Sequence, residues 1–321
     1  MTTELARMAV IAGGLSNERE VSLRSGRRAQ YALGQVGIEA ALYDADETLL
    51  TRLADDGISA AYLAVHGASG EDGSLQTALD LAGIPYVGST PGACHLAWDK
   101  VVAKVLVSRA GVATPAWAAV SARSFRELST TQLVRSVLDE IGLPVVVKPA
   151  KSGSTLGMSL VETAADLPAA LVRCFTFGDL ALIERYIVGS TIETVVVEEA
   201  GKVTALPPAE FANPDVSPFS FEARYGADLI SIVLPAPLPE TVLDAVSRTA
   251  ETVHTVLGLR DLSRTDVVVD AEGTPWFLEA AISPGLTETS VLPLAAAETG
   301  RPLGALLRDL LVTAQRRGAT R

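Results

Sequence analysis

Between Met8 and Val87, short apolar runs alternate with longer stretches in which apolar positions recur every three to four residues. Met8–Ala12, Ala40–Tyr43, Ala61–His66 and Pro85–Val87 read as strands, and Glu20–Val36, Glu47–Asp55 and Ser74–Leu81 as helices. This cadence predicts an α/β unit around a parallel sheet, closed by the Gly/Ser/Pro-rich break at Gly88–Gly92, so the first domain is set at residues 1–92. From Asp99 to Gly189 two helical stretches enclose strands at Pro144–Pro149 and Met158–Glu162, with Leu180–Tyr186 following, which predicts a smaller α+β domain over 93–189. The remainder, 190–321, carries strands at Ile192–Glu198, Lys202–Leu206, Thr265–Asp270 and Pro275–Ala280, with helices near Pro239–Leu257 and Ser290–Gln315. Residues 207–226 are rich in Pro and Phe and have no period; a loop of that length is either disordered or functional.

Composition narrows the class. With 321 residues, 48% hydrophobic and 20% charged, the chain is long enough for several cores and too apolar to be disordered. Its longest apolar runs are strand-sized, short of the roughly 18 residues a bilayer span needs. Met8–Ala12 lacks a basic leader and reads as a first strand, so the expected location is cytoplasmic. The net charge is −12 and the basic residues form no run, which argues against nucleic acid or an anionic membrane as partner. Cys94 and Cys174 have no metal or redox spacing and read as small buried hydrophobes.

Three places could carry chemistry. The strand ending in Lys148-Pro149 runs into Lys151-Ser-Gly153-Ser154-Thr155-Leu-Gly157, a loop able to turn N–H groups and hydroxyls toward phosphate, though a plain surface turn has the same composition. It is not a Walker loop. Near the C-terminus, a two-residue turn at Glu272-Gly273 would pair Thr265–Asp270 with Pro275–Ala280 as a hairpin and set Asp266 opposite Glu279. Arg264, Asp266, Glu279 and Ala281 then share one face. Opposed carboxylates repel unless a cation stands between them, and either Mg²⁺ or Arg264 answers that need. In the first domain, Gly13–Glu20 follows a strand and opens a helix, a place for an anion or simply a capped start. His66 ends a strand at the edge where open α/β sheets bind ligands.

Taken in order, GGLSNEREVSLRSG, LAVHGASGEDGSLQ, VVKPAKSGSTLGMS, LIERY, FEARY, SRTDVVVD and FLEAAISPGLTETS resemble the motifs of the D-alanine–D-alanine ligases of the ATP-grasp superfamily, across nearly the whole chain. The resemblance implies an ATP-grasp fold: a Rossmann-like N-terminal domain with a parallel sheet, a small central domain, and a C-terminal domain with an antiparallel sheet. It implies ATP as co-substrate, Mg²⁺ (or Mn²⁺) as cofactor, D-alanine as substrate, and a homodimer. By the resemblance, Lys100 and Lys148 hold phosphates, the loop with Ser154 and Thr155 covers them, and Arg224 meets the γ-phosphate. Glu184 and the backbone of Arg185, Tyr186 and Ile187 lie along adenine, with Thr191 at the ribose. Asp266 and Glu279 ligate metal. Glu18 and His66 hold the first amino acid and Ser290 helps bind the second, while Arg264 and the Gly285 N–H stabilise charge on oxygen. Glu18, Ser154 and Tyr225 link the domains on closure.

The chain departs from the family at two positions. Ala281 stands where an asparagine helps hold a second Mg²⁺, and Thr191 stands where an acidic residue grips the ribose, with Glu193 two residues on. The expected activity is ligation of two D-alanines for peptidoglycan. An ATP-grasp ligase recruited to another dipeptide or specialised metabolite, and a nucleotide-binding protein with degenerate catalysis, are the alternatives.

Overall fold

The protein was analysed as a computed structural model, which describes residues 7–153, 156–212 and 231–318. Its strands fall into three sheets in chain order. The first holds β1 (Met8–Ala12), β2 (Ala40–Asp44), β3 (Ala60–Leu63) and β4 (Tyr86–Val87) in the order β2-β1-β3-β4, all parallel. β1 and β3 are buried along their whole length, which is why they read as unbroken apolar runs rather than alternations. The helix Arg19–Gln35 covers one face with Ala29 and Leu33.

The second sheet contains β5 (Trp117–Ser121), β6 (Val145–Pro149), β7 (Ser159–Val161) and β8 (Leu180–Arg185) in the antiparallel order β5-β8-β6-β7. The third and largest contains β9 (Ser190–Glu199), β10 (Lys202–Ala205), β11 (Ala209–Ala212), β12 (Ser231–Val233), β13 (Leu262–Val269) and β14 (Pro275–Ala281). Its path is β12-β11-β9-β13-β14, with β10 paired to β9, and every pairing is antiparallel.

Several elements depart from the expected pattern. β5 and β12 were not expected, β11 lies inside the segment read as a loop, and the middle domain has more helices than the two expected. The predicted helix Ser290–Gln315 is two helices, Val291–Glu298 and Leu303–Gly318. Gly300, with φ of +74°, and Pro302 break it: the glycine takes the left-handed turn that ends the first helix, and proline cannot continue it.

Helices also cross between sheets. Leu303–Gly318 packs back on the first sheet, so Leu306, Leu307, Leu310 and Leu311 share a core with Met8, Val10 and Tyr62. It approaches Arg19–Gln35 so closely that a β-carbon on Gly304 would stand 2.0 Å from the Ala32 carbonyl oxygen. Pro91–Trp98 and Lys100–Arg109 pack against β14 and the helix Glu240–Val256 through Cys94, Ala103, Val107, Val253 and Phe277. Cys94 and Cys174 are buried thiols, and burial pushes both up to about 12.

Candidate active site

A cleft of about 620 Å³ opens where the three sheets meet, lined by Glu18, His66, Lys100, Arg264, Glu279 and Gly285. Six residues singled out in the sequence thus face one space.

Its floor is the third sheet. Asp266 on β13 pairs with Glu279 on β14 and with Glu193 on β9, which sets three carboxylates in a row across adjacent strands. The expected Asp266–Glu279 pair is present, but the hairpin reaches it differently. The turn takes three residues, with Asp270 N donating to Thr274 O and Gly273 N to Asp270 O, so Val269 pairs with Pro275. A bulge between Asp266 and Val267 then shifts the register back by one residue. Two one-residue offsets cancel.

Arg264 lies along this row. Its Nε and Nη2 donate to the two Asp266 oxygens at 2.6 and 2.7 Å, and Nε stands 3.5 Å from Glu193. Burial works against the guanidinium charge, but Asp266, Glu193 and Glu279 outweigh it and hold Arg264 protonated well above the usual arginine range. Of the two answers to the carboxylate repulsion, arginine is therefore present here. Lys100, on the helix capped by Asp99, sits 3.2 Å from Glu279 and also donates to the Ser152 carbonyl. Ala281, opposite Arg264, brings no donor.

The wall from the first sheet carries two carboxyls. Glu18 begins the helix Arg19–Gln35 and is only 7% exposed. It is held between two glycines: a β-carbon on Gly67 would come 2.7 Å from its Oε2, and one on Gly153 2.8 Å. Only residues without a side chain let both backbones approach that closely, so Glu18 touches the first-sheet turn and the 151–153 loop at once. Glu71, which the sequence reading passed over, accepts from Gly67 N at 3.0 Å. Desolvation and the neighbouring charge of Glu18 push it up to about 8, so its carboxyl holds a proton at neutral pH. His66 is buried, with Nε2 3.0 Å from Ser25 Oγ and Nδ1 3.9 Å from Glu71. Burial, with Arg264 nearby, brings it down to about 4, leaving a neutral imidazole.

Lys148 and Glu184 form a second charged group beside the cleft. Lys148 Nζ is 2.5 Å from Glu184 Oε1, and Lys104 Nζ, missed in the sequence, is 2.8 Å from Oε2. Burial opposes ionisation of Glu184, and the two lysines overcome it, holding the carboxyl below its ordinary range. The one available signal for Lys104 was its position one helical turn after Lys100.

The other expected residues spread out. Arg185 turns its guanidinium to the Ile141 carbonyl, and the Arg185 and Tyr186 N–H groups donate to Ala116 and Pro144. Ile187 follows β8 and is partly exposed. Thr191 on β9 pairs with Val268, two residues along the strand from Glu193. Glu193 stands 3.5 Å from Arg264 Nε. Ser290 Oγ accepts from Thr287 N at 3.0 Å and would meet a β-carbon on Gly285 at 2.6 Å. Ser154, Thr155, Arg224 and Tyr225 lie outside the described residues.

Residues 106–312 match the family model described as D-ala D-ala ligase C-terminus, which is more than half of the chain. The chain belongs to the D-alanine–D-alanine ligase family. It is 37% identical over 296 residues to the D-alanine–D-alanine ligase of Bordetella petrii, covering 92% of this chain and 88% of that protein. It is 37% identical over 313 residues to that of Syntrophotalea carbinolica, covering 97% of each. Among solved structures, the D-alanine–D-alanine ligase of Bacillus anthracis complexed with ATP superposes with a TM-score of 0.81 at 28% identity, covering 97% of this chain and 98% of that one. The ATP-grasp architecture and the class of ATP-dependent carboxylate–amine ligases follow from that membership.

Proposed function

We propose that this ligase joins two D-alanines to D-alanyl-D-alanine for peptidoglycan, with ADP and phosphate as the other products. The observation that carries the reading is the cleft itself, where Arg264, lying along the carboxylate row, meets Glu18 and the neutral His66 from the first sheet.

In this reading, a carboxylate oxygen of the first D-alanine attacks the γ-phosphorus of ATP, ADP leaves, and an acyl phosphate forms. The amine of the second D-alanine then attacks the acyl carbon, the tetrahedral intermediate collapses, and phosphate leaves with the new amide bond in place. Negative charge grows on oxygen in both steps, and Arg264 with the Gly285 N–H supplies fixed positive potential to meet it. Glu18 takes the first ammonium, and the protonated Glu71 beside it keeps the site from carrying two charges. Lys100, Lys148 and Arg224 meet phosphates, Ser154 and Thr155 cover them, and Glu184 with Arg185, Tyr186, Ile187 and Thr191 lines the nucleoside. Ser290 serves the second substrate, and Tyr225 closes the site against water, which protects an acyl phosphate from hydrolysis.

Asp266 and Glu279 suit a divalent cation: both are hard oxygen donors, set on strands whose paired Cα atoms lie ~4.5–5.5 Å apart. Mg²⁺ or Mn²⁺ held there would neutralise phosphate charge and orient the nucleotide. The three sheets correspond in this reading to domains 1–92, 93–189 and 190–321. The enzyme works as a cytoplasmic homodimer, where ATP is made.

Ala281, donor-free in the row where the family places asparagine, favours one second reading, a ligase recruited to another dipeptide. A screen of amino acids by phosphate release, with products identified by mass spectrometry, decides. Phosphate and D-alanyl-D-alanine formed only with D-alanine and Mg²⁺ is the expected outcome. Turnover with other amino acids and none with D-alanine establishes the second reading, and ATP binding without acceptor-dependent turnover refutes both.

A further inference from the structure

Lys100 and Lys104 stand one turn apart on one helix, and each ties the second sheet's side of the cleft to β14. Lys100 reaches the Ser152 carbonyl and Glu279. Lys104 reaches Glu184 at 2.8 Å, Thr114 Oγ1 at 2.5 Å and the Phe277 carbonyl at 3.3 Å. The last two are hydrogen bonds and the first is an ion pair, so the ammonium has both polar acceptors and a counter-charge around it. Lys104 is completely buried.

Burying an ammonium costs several kcal/mol unless it is paired, so a lysine kept here needs a counter-charge. That counter-charge is Glu184, which has two ammonium neighbours for its one negative charge. The trio carries a net charge of plus one. Lys104 has no exposed surface and cannot leave. Lys148, near the end of β6 and itself 7% exposed, is the member that the proposed function places at the phosphates.

We propose that Lys104 is a positioning residue that neutralises Glu184 from behind, so that the charge of Lys148 is left over for the phosphates of the nucleotide. Without Lys104, Glu184 and Lys148 form a neutral buried pair, and Lys148 serves phosphate only by breaking from an ionised carboxylate. The proposal rests on the reading of Lys148 as a phosphate ligand.

The test compares the Kd of adenosine with that of a non-hydrolysable ATP analogue for the full chain with Mg²⁺, by isothermal titration calorimetry. The ratio of the two isolates the part of affinity that phosphates contribute. Lys104→Met is expected to lower the ratio about tenfold or more, the worth of one charge-assisted hydrogen bond. Lys104→Met with Glu184→Gln removes charge and counter-charge together and restores the ratio to within roughly threefold. If the single variant weakens adenosine and analogue alike, Lys104 only packs the fold and the proposal is wrong. An unchanged ratio in the single variant, or no recovery in the double, overturns it equally. Should Lys104→Met not fold, the double variant decides alone, and a tenfold loss of ratio there is fatal. Lys148→Met separates the two layers of reasoning: if it leaves the ratio unchanged, the phosphate-site reading fails, whatever Lys104 does.

Discussion

Replacing Arg264 by methionine tests the electrostatics of the carboxylate row directly. The guanidinium donates two bonds of 2.6 and 2.7 Å to Asp266 and stands 3.5 Å from Glu193, with its side chain 15% exposed. At ~4 Å between charge centres and an effective dielectric of ~20, the Asp266 pair alone is worth about 4 kcal/mol of Coulomb energy. Removing one partner of a buried pair typically costs about 3–5 kcal/mol, because the other charge is left uncompensated. Here the substitution removes a cation that two carboxylates share. Arg264→Met is therefore expected to destabilise by about 3–5 kcal/mol, read as the shift in urea midpoint at unchanged m-value. The double variant Arg264→Met/Asp266→Asn separates pairing from packing, since it removes charge and counter-charge together. Its cost is expected to fall about 1.5–3 kcal/mol below the sum of the two single costs. Strict additivity of the two, or an Arg264→Met protein within about 1 kcal/mol of wild type, refutes the account of Arg264 as the cation that neutralises this row.

Glu71 gives a pH signature. Its folded-state value of about 8 lies above the ordinary carboxylate range, so keeping it buried costs nothing in acid and progressively more as pH rises toward 8. Glu71→Gln should therefore melt progressively higher than wild type from pH 5 to pH 8.5, and a gap that does not change with pH contradicts the burial argument. Gly285→Ala places a β-carbon 2.6 Å from Ser290 Oγ, so it should lower kcat/KM for the second amino acid at least tenfold, ~1.4 kcal/mol; wild-type kinetics would mean that this backbone does not meet substrate. Ala281→Asn adds an oxygen donor opposite Arg264 and should lower the Mg²⁺ concentration for half-maximal rate; an unchanged titration would show that position 281 faces no metal.

Much of this was readable in the sequence because it is local. Period-two alternation on β13 and β14 put Arg264, Asp266 and Glu279 on one face, and the buried run Met8–Ala12 marked a central parallel strand. The turn was not readable: nothing local distinguishes a two-residue loop at Glu272-Gly273 from a three-residue one followed by a bulge. β5 was missed because Trp117–Ser121 leads straight into a helix and alternates only weakly between buried and exposed. Lys104, Glu71 and the pairing of Glu193 with Arg264 escaped for a different reason, since each acquires its chemistry from partners far away in the chain. Glu184 lies on β8, Glu18 begins the first long helix, and Arg264 lies on β13.

The return of Leu303–Gly318 to the first sheet has a consequence during synthesis. Met8, Val10 and Tyr62 emerge from the ribosome early, yet the leucines that bury them arrive at the other end of the chain. Ala29 and Leu33 of the helix Arg19–Gln35 cover part of this face early, and the part that Leu306, Leu307, Leu310 and Leu311 bury waits until residues 303–318 are translated. The growing polypeptide needs shelter over that interval, and shortened chains lacking the last helix should be held by chaperones or degraded rather than released.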